Sequence, residues 1–410
     1  MNLYIFNKSS PASVYGIGNY IRELAMALRN SNINVTVVHL WSDKPQIQKE
    51  TNDGIQHWYF PEPMRKQRML DSPKYDEFYY RNITYLFRLH IKDKKDLIFH
   101  LNYEQNNKLA KELKDSFECK IIVTVHFSEW GLTIFDNLKR LRKILCEVNP
   151  ESFSANLKKS FENEKSLYLK ADHIICLSQY MHKVLCIDYG LTPARVSFVP
   201  NGLTNTVNTK NNNQYLRNKW KILYEEKFIL FVGRIEEIKG LTYLIRAFRE
   251  VLQKFPICRL IIVGNGYYDI HMKVAKEICT KITFTGLLEK KELYELYQIA
   301  DVGVVPSLFE PFGYVAVEMM MHELPIVATA TSGLNEVVDD CCGLKIPIIE
   351  HSDRIEIDSN LLAEKIIYLL EHPDKARKMG QNGRKRYLSE YSSEVFRRNM
   401  LNFYTSLYET

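Results

Sequence analysis

ADVGVVPSLFEPFGYVAVEMMMHELPIVATATSGLNEVV, residues 300–338, is the stretch that decides the reading of this 410-residue chain. Residues 302–305 are a short apolar run bounded by turn residues, the pattern of a strand buried on both faces. Pro311 and Gly313 break the chain, and residues 314–323 then take up helical spacing. Glu310 therefore falls in the loop at the carboxyl end of a strand, and Glu318 on the helix that follows. The backbone N–H groups at that helix start, around Phe312, Gly313, Tyr314 and Val315, carry partial positive charge that suits an anion such as a diphosphate. Two glutamates on an ordinary αβ crossover are usually surface residues, so the neighbouring sequence has to decide what this pair is for.

Some seventy residues upstream, residues 228–232 read as another buried strand ending in Gly233-Arg234, and Lys239-Gly240 opens an amphipathic helix running to 255. Two cations thus stand at the carboxyl end of a strand, where open α/β sheets gather their ligands. Residues 260–263 lead into Gly264-Asn265-Gly266, and residues 282–286 form a further strand ending in Gly286.

The order Glu310-Pro311-Phe312-Gly313, Glu318 eight positions on, Leu324-Pro325-Ile326-Val327-Ala328-Thr329, Gly333 and Glu336 resembles the signature of retaining GT-B glycosyltransferases of family 4, group 1. The resemblance implies a nucleoside-diphosphate-sugar donor, a UDP- or GDP-sugar, and no cofactor. It assigns Arg234 and Lys239 to the donor diphosphate, with Gly233, Gly264 and the helix start at Phe312, Gly313, Tyr314 and Val315 bringing backbone close. Gly286 and Leu287 would lie near the base, Glu318 would accept hydrogen bonds from the ribose hydroxyls, and Glu310 would face the transferred sugar. Cations at a departing diphosphate are chemically apt, because negative charge accumulates there as the bond breaks. Glu323 and Ser332 stand where the family usually has Gly.

The first half is less diagnostic. Residues 3–6 and 35–40 read as strands flanking a helix over 19–30, and between them lies Tyr15-Gly16-Ile17-Gly18-Asn19-Tyr20. A dinucleotide fingerprint needs glycines directly after the strand, a third small residue and an acid about twenty residues later. Here Gly16 stands well beyond Phe6, Ile21 occupies the third position, and Val38-His39-Leu40 offers no carboxylate. The spacing resembles instead the family's flexible glycine loop, which implies that Gly16 and Gly18 approach the donor phosphate and the acceptor. Residues 121–125 form a strand that delivers His126 to the sheet's carboxyl end. The resemblance places a His there beside the donor sugar, although Phe127 follows where the family has Asp. The long segment 127–169, with Trp130 and the basic run Lys139-Arg140-Leu141-Arg142-Lys143, is expected to shape the acceptor side. Residues 171–178 resemble the last core strand of the first domain.

Residues 204–214 hold Asn205, Asn208, Asn211, Asn212 and Asn213 with almost no apolar residue, a composition that cannot fold alone. Length and alternating strands and helices on both sides predict two doubly wound, parallel-sheet α/β (Rossmann-like) domains in the GT-B arrangement, facing across a cleft. The expected boundaries are 1–204 for the acceptor side, 205–214 for the linker and 215–392 for the donor side. Residues 393–410, with a helix over about 394–408, would return to the first domain.

Residues 1–205 carry 28 Lys and Arg against 22 Asp and Glu, and the remainder carries 27 of each, so the excess of +6 belongs to the first half. With the patch Arg65-Lys66-Gln67-Arg68, that balance suits an acidic acceptor or peripheral contact with an anionic inner membrane face. No apolar run approaches the roughly 18 residues needed to span a bilayer, and Met1 to Phe6 is too short for a signal core, so a cytoplasmic location is expected. Eight cysteines without Cys-x-x-Cys spacing read as small buried residues and not as a metal site. The absence of Asp-x-Asp argues against a metal-dependent donor site. The acceptor is left open among a glycan, a lipid-linked saccharide and a peptide; no nucleic-acid partner is expected, and oligomeric state is not indicated. Two rival readings stand beside retaining transfer: an epimerase or inverting transferase on the same fold, and a non-catalytic sugar-nucleotide-binding subunit.

Overall fold

Among the described residues, fourteen short strands, most of them rich in buried apolar residues, form two largely parallel sheets. A computed structural model describes residues 1–8, 16–63, 73–207 and 213–407. Tyr15, the patch Arg65 to Arg68, and Asn208, Asn211 and Asn212 lie outside the described residues. Contacts divide the chain into one unit of residues 1–129, 148–202 and 393–410 and another of residues 130–147 and 203–392.

In the first unit the strands are β1 (Asn2–Lys8), β2 (Asn34–Ser42), β3 (Gln48–Asn52), β4 (Ile55–Pro61), β5 (Leu97–Leu101), β6 (Cys119–Val125), β7 (His173–Cys176) and β8 (Val196–Phe198). Their order is β3-β4-β2-β1-β5-β6-β7-β8, parallel throughout except for the antiparallel edge strand β3. The residues 171–178 strand is therefore not the last of this sheet, since β8 pairs beyond it. Direction of travel reverses between β1 and β5, which makes that pair the switch point. Helix Gly16–Leu28 buries Ile17, Tyr20, Ile21, Leu24 and Leu28, a 3.6-residue stripe, against this sheet. Helix Ser393–Ser406 adds Phe396, Met400, Phe403 and Tyr404 to the same core.

The second unit holds β9 (Lys227–Val232), β10 (Cys258–Val263), β11 (Ile282–Gly286), β12 (Val302–Val305), β13 (Ile326–Thr329) and β14 (Gly343–Ile346), ordered β11-β10-β9-β12-β13-β14 and all parallel. This is the doubly wound order with its switch point between β9 and β12. Helix Leu241–Lys254 packs Leu241, Leu244, Ile245, Phe248 and Val251 onto it, all fully buried. A small antiparallel hairpin, Ile348–Glu350 with Ile355–Ile357, completes the unit.

Several expectations need correction. Gly16 and Gly18 belong to the first turn of helix Gly16–Leu28, so neither sits in a loop preceding the helix; the apolar stripe beginning at Ile17 draws the turn onto the sheet. The long segment after β6 is helical over Glu129–Ile134, Leu138–Cys146 and Ser152–Lys170. Its first part packs with the second unit, where Asn137 Nδ2 donates to His351 O at 2.8 Å and Ser332 Oγ donates to the Asp136 carboxylate. Asn213 and Gln214, counted with the linker, open helix Asn213–Lys219. The cysteines are free thiols, but only Cys176, Cys258 and Cys342 are buried, whereas Cys146, Cys279 and Cys341 are exposed. No described helix is long and apolar enough to cross a membrane.

Burial holds several histidines uncharged. It pushes the imidazoles of His100 and His126 down to about 3 and those of His39 and His322 down to about 4. Each of these groups takes up a proton in the unfolded chain near pH 6.5 but resists it when folded. Their contribution to stability is complete above pH 6.5 and is lost as pH falls toward 4, with a slope of up to about 1.4 kcal/mol per pH unit per histidine. The urea midpoint is accordingly expected to fall steadily between pH 7 and pH 5, and a flat profile across that range would contradict the burial of neutral imidazoles.

Candidate active site

Strand pairing brings the two sequence motifs of the second unit together. β9 and β12 are neighbours, with Val302 opposite Ile229 and Val304 opposite Phe231, so the loops leaving their carboxyl ends run side by side. Leu308 N donates to Ile238 O at 2.8 Å, tying the loop that carries Glu310 to the turn that carries Lys239. Lys239 Nζ donates to Glu310 Oε2 at 2.5 Å, and Ser307 Oγ donates to the same oxygen at 3.4 Å. Both members of this ion pair are mostly buried, with side chains 19% and 17% exposed, so each charge depends on the other more than a surface pair would. Arg234 sits at the same sheet end, more open to solvent, and pairs with Glu236 at 3.0 Å.

Residues at the end of β13 and just beyond it clamp the glutamate loop. Thr329 Oγ1 donates to Ser307 O at 2.5 Å, Thr331 Oγ1 donates to Leu308 O at 2.9 Å, and Leu334 N donates to Glu310 O at 3.1 Å. The helix Tyr314–Met321 then starts from Gly313, whose φ of 105° lies in the left-handed region that favours glycine. No side chain caps this helix, so Phe312, Gly313, Tyr314 and Val315 present the first-turn backbone that the sequence analysis assigned to an anion.

On the other side of β9, Gly233 N donates to Val263 O at 3.0 Å and Ile235 N donates to Asn265 O at 2.8 Å. The turn at Gly264 passes so close that a Cβ there would stand 1.8 Å from Gly233 O. That contact explains why glycine must follow the second strand of the unit. Gly264 N donates to Gly286 O at 2.9 Å, which carries the same edge on to Gly286 and the exposed Leu287. Gly233, Arg234, Lys239, Gly264, Gly286, Glu310, Gly313 and Glu318 thus all lie along the carboxyl edge of one sheet or on the helix that starts there.

Glu318 is 7% exposed, a cost for a carboxylate unless it is hydrogen-bonded. Tyr297, which the sequence analysis did not single out, donates its hydroxyl to Glu318 Oε2 at 2.8 Å. Burial and the adjacent Glu318 charge push the Tyr297 phenol well above its ordinary value, so it remains a donor. His322 stacks on Tyr297 at 5.3 Å, and its Nδ1 lies 2.8 Å from Glu318 O, an atom that can only accept. The sequence signal for Tyr297 was weak, because it occurs within an ordinary amphipathic helix, Lys290–Ile299.

In the first unit, His126 follows β6 at the carboxyl edge, with Nε2 3.0 Å from Asn102 Oδ1 and its ring 4.7 Å from that of Tyr20. Gly16 and Gly18 begin the helix that supplies Tyr20. Asn102 was also missed; it stands directly after β5 at the switch point, a position that only the strand order reveals. Among the described residues no group of three or more His, Cys, Asp or Glu is placed to hold a metal ion.

A fold of two Rossmann-like units with this glutamate and cation constellation defines a class, and comparisons with known proteins agree. The family described as Glycosyl transferases group 1 matches residues 212–386, and that described as Glycosyltransferase Family 4 matches residues 14–205. The chain belongs to these group 1, family 4-type glycosyltransferases of GT-B architecture. It is 30% identical over 251 residues to the lipopolysaccharide 1,2-N-acetylglucosaminetransferase of Salmonella typhimurium, covering 58% of this chain and 65% of that one. The chain spans 30% to 65% of the length of three curated relatives it matches. Among solved structures, a sucrose-phosphate synthase from Thermosynechococcus elongatus superimposes with TM-score 0.77 at 22% identity, over 100% of this chain and 99% of that one. Anabaena Alr3699/HepE in complex with UDP-glucose gives TM-score 0.73 at 16% identity, over 99% and 100%. At these identities the likeness speaks for the fold.

The two positions where the family usually has Gly occupy strained backbone. Glu323 has φ 59° and Ser332 has φ 41°, both left-handed. Glu323 follows the C-cap in a Schellman-type end, where Leu324 N donates to Met319 O at 3.0 Å and Glu323 N to Met320 O at 3.1 Å. A left-handed non-glycine residue costs roughly 1–2 kcal/mol, part of which glycine gives back through its freer unfolded chain. Glu323→Gly is expected to stabilise the protein by about 0.5–1 kcal/mol in chemical denaturation, and a loss of stability would refute the backbone account.

Proposed function

We propose that this protein transfers a hexose-type sugar from a nucleoside-diphosphate sugar to an acceptor hydroxyl, with retention of anomeric configuration and without a metal ion. The observation that carries the reading is the mostly buried Lys239–Glu310 pair at the β9–β12 switch point, beside the uncapped helix start at Gly313. It is supported by the family to which the chain belongs and by the UDP-glucose named for the structurally similar Anabaena protein.

In this mechanism the donor diphosphate takes Lys239 as a counter-ion, with Arg234 and the backbone N–H groups of Gly313 to Val315 as further donors. Glu318, held by Tyr297, accepts from the ribose hydroxyls, and Gly286 and Leu287 border the base. The bond between C1 of the sugar and the diphosphate oxygen breaks as negative charge builds on the leaving group. Fixed cations and oriented amides stabilise that charge without reorganising at the moment of reaction. Glu310, released in part from Lys239, faces the sugar and stabilises its oxocarbenium-like charge. The acceptor hydroxyl adds to C1 from the face the diphosphate is leaving, and its proton passes to a leaving-group phosphate oxygen. His126 of the first unit is assigned to a hydroxyl of the transferred sugar. The acceptor is a glycan, a lipid-linked saccharide or a peptide, and the basic excess of the first half suits an acidic one.

A panel of UDP- and GDP-sugars, read by nucleoside diphosphate release with and without acceptor mixtures, tests the reading. Release with one donor is expected to persist in excess EDTA, whereas strict dependence on a divalent ion would overturn the metal-free mechanism. Glu310→Ala is expected to lower turnover by about 10³-fold or more while nucleoside diphosphate affinity changes little; full activity in that variant would remove Glu310 from its role. Lys239→Ala is expected to lower both, because it removes charge from the bound diphosphate as well as from the transition state.

A further inference from the structure

The side chain of Asn102 has one orientation that the surrounding hydrogen bonds permit. Its Nδ2 donates to Phe6 O at 3.1 Å and also approaches His100 O at 3.5 Å. Both partners are backbone carbonyls, which only accept, so the amide nitrogen must face them and Oδ1 must point the other way. Oδ1 lies 3.0 Å from His126 Nε2. An amide oxygen cannot donate, so Nε2 must carry the proton, and in the neutral ring that leaves Nδ1 with a bare lone pair.

The ring is fixed in orientation as well as in tautomer. Tyr20 packs its edge against His126 with centroids 4.7 Å apart and planes at 74°. Tyr20 is itself held by the 3.0 Å contact between its hydroxyl and Thr124 Oγ1, one side chain back along the same face of β6. Thr124 Oγ1 is in turn 2.6 Å from His100 Nε2, and His100 Nδ1 is 2.5 Å from the hydroxyl of Tyr404 on the last helix. A buried chain of four side chains from four elements therefore backs the face on which His126 stands. Its titratable neighbours there are His100 and Tyr20; burial holds the first uncharged, and it raises the phenol of the second.

The geometry points to Asn102 as a positioning residue: it locks His126 in the Nε2–H tautomer, so that Nδ1 accepts a hydrogen bond from a hydroxyl of the transferred sugar and has no proton to give. This deepens the proposed function and rests on it for the identity of the hydroxyl, but the tautomer is a property of the protein alone. His126 on this account orients the sugar and plays no part as an acid.

Protein labelled with ¹⁵N-histidine, with the His126 signals identified by their loss in His126→Gln, tests the tautomer directly in long-range ¹H–¹⁵N spectra. The expected result at pH 7.5 is a protonated Nε2 and an unprotonated Nδ1. A protonated Nδ1 in the wild type would overturn the proposal whether or not any nucleotide sugar is turned over. Failure of the whole donor panel would count against the proposed function and leave the spectral result standing. With the donor that the panel selects, Asn102→Ala is expected to lower kcat by about tenfold with nucleoside diphosphate affinity unchanged. Asn102→Asp supplies the separate readout. Its carboxylate also accepts from Nε2–H, but its charge favours the protonated ring, in which Nδ1 becomes a donor. The kcat of that variant is expected to fall by roughly fivefold or more between pH 8.5 and pH 6, where the wild type is nearly flat. A pH profile identical to wild type in Asn102→Asp, or wild-type kcat in Asn102→Ala, would show that Asn102 only fills space.

Discussion

The lateral pairing of β9 with β12 is the constraint on which the candidate donor site rests. These strands are separated by about seventy residues of chain, yet the register that sets Val304 opposite Phe231 delivers their two exit loops to the same edge. One backbone hydrogen bond, Leu308 to Ile238, and one ion pair, Lys239 to Glu310, then join the loops. Because both strands are buried on each face, a slip by one residue would turn apolar side chains out of the core, so the packing energy of the sheet also fixes the site. The loops contribute chemistry, and the sheet contributes position.

Charge and neutrality are arranged differently in the two units. In the second, Lys239 and Glu310 face each other at a distance where either can be recruited by an anion or a developing cation. In the first, the polar groups behind the sheet edge are held uncharged: His100 and His126 are neutral through burial, and Tyr20 and Tyr404 keep their hydroxyl protons. A neutral hydrogen-bonding surface suits recognition of hydroxyl groups, and a paired-charge surface suits a diphosphate. The division follows from desolvation, which penalises an isolated charge far more than a satisfied neutral group.

The two residues that stand in place of the family's glycines show how backbone geometry shapes composition. Glu323 and Ser332 replace glycine, and both take left-handed φ values. At Ser332 the hydroxyl reaches the Asp136 carboxylate, a contact glycine could not make. At Glu323 no such gain offsets the strain, and its carbonyl lies where a Cβ on Gly380 would stand only 1.8 Å away. Helix Pro373–Arg386 thus approaches this turn closely from the outside.

By itself the sequence determined the two-sheet α/β class, the strands at 302–305 and 282–286, and the glutamate, arginine and lysine set of the second unit. The strand at 302–305 is legible because it is buried on both faces and written as a continuous apolar run, and the one at 282–286 because a short β-branched and aromatic run stops at Gly286; helix starts and turns are written in Gly and Pro. Tertiary structure alone decided that Gly16 and Gly18 are helical, that residues 130–147 pack with the second unit, and that Tyr297 and Asn102 stand behind Glu318 and His126. Such residues have no local signature. Their meaning comes from strand order and from which carbonyls and carboxylates surround them, and a linear pattern of hydrophobicity carries neither.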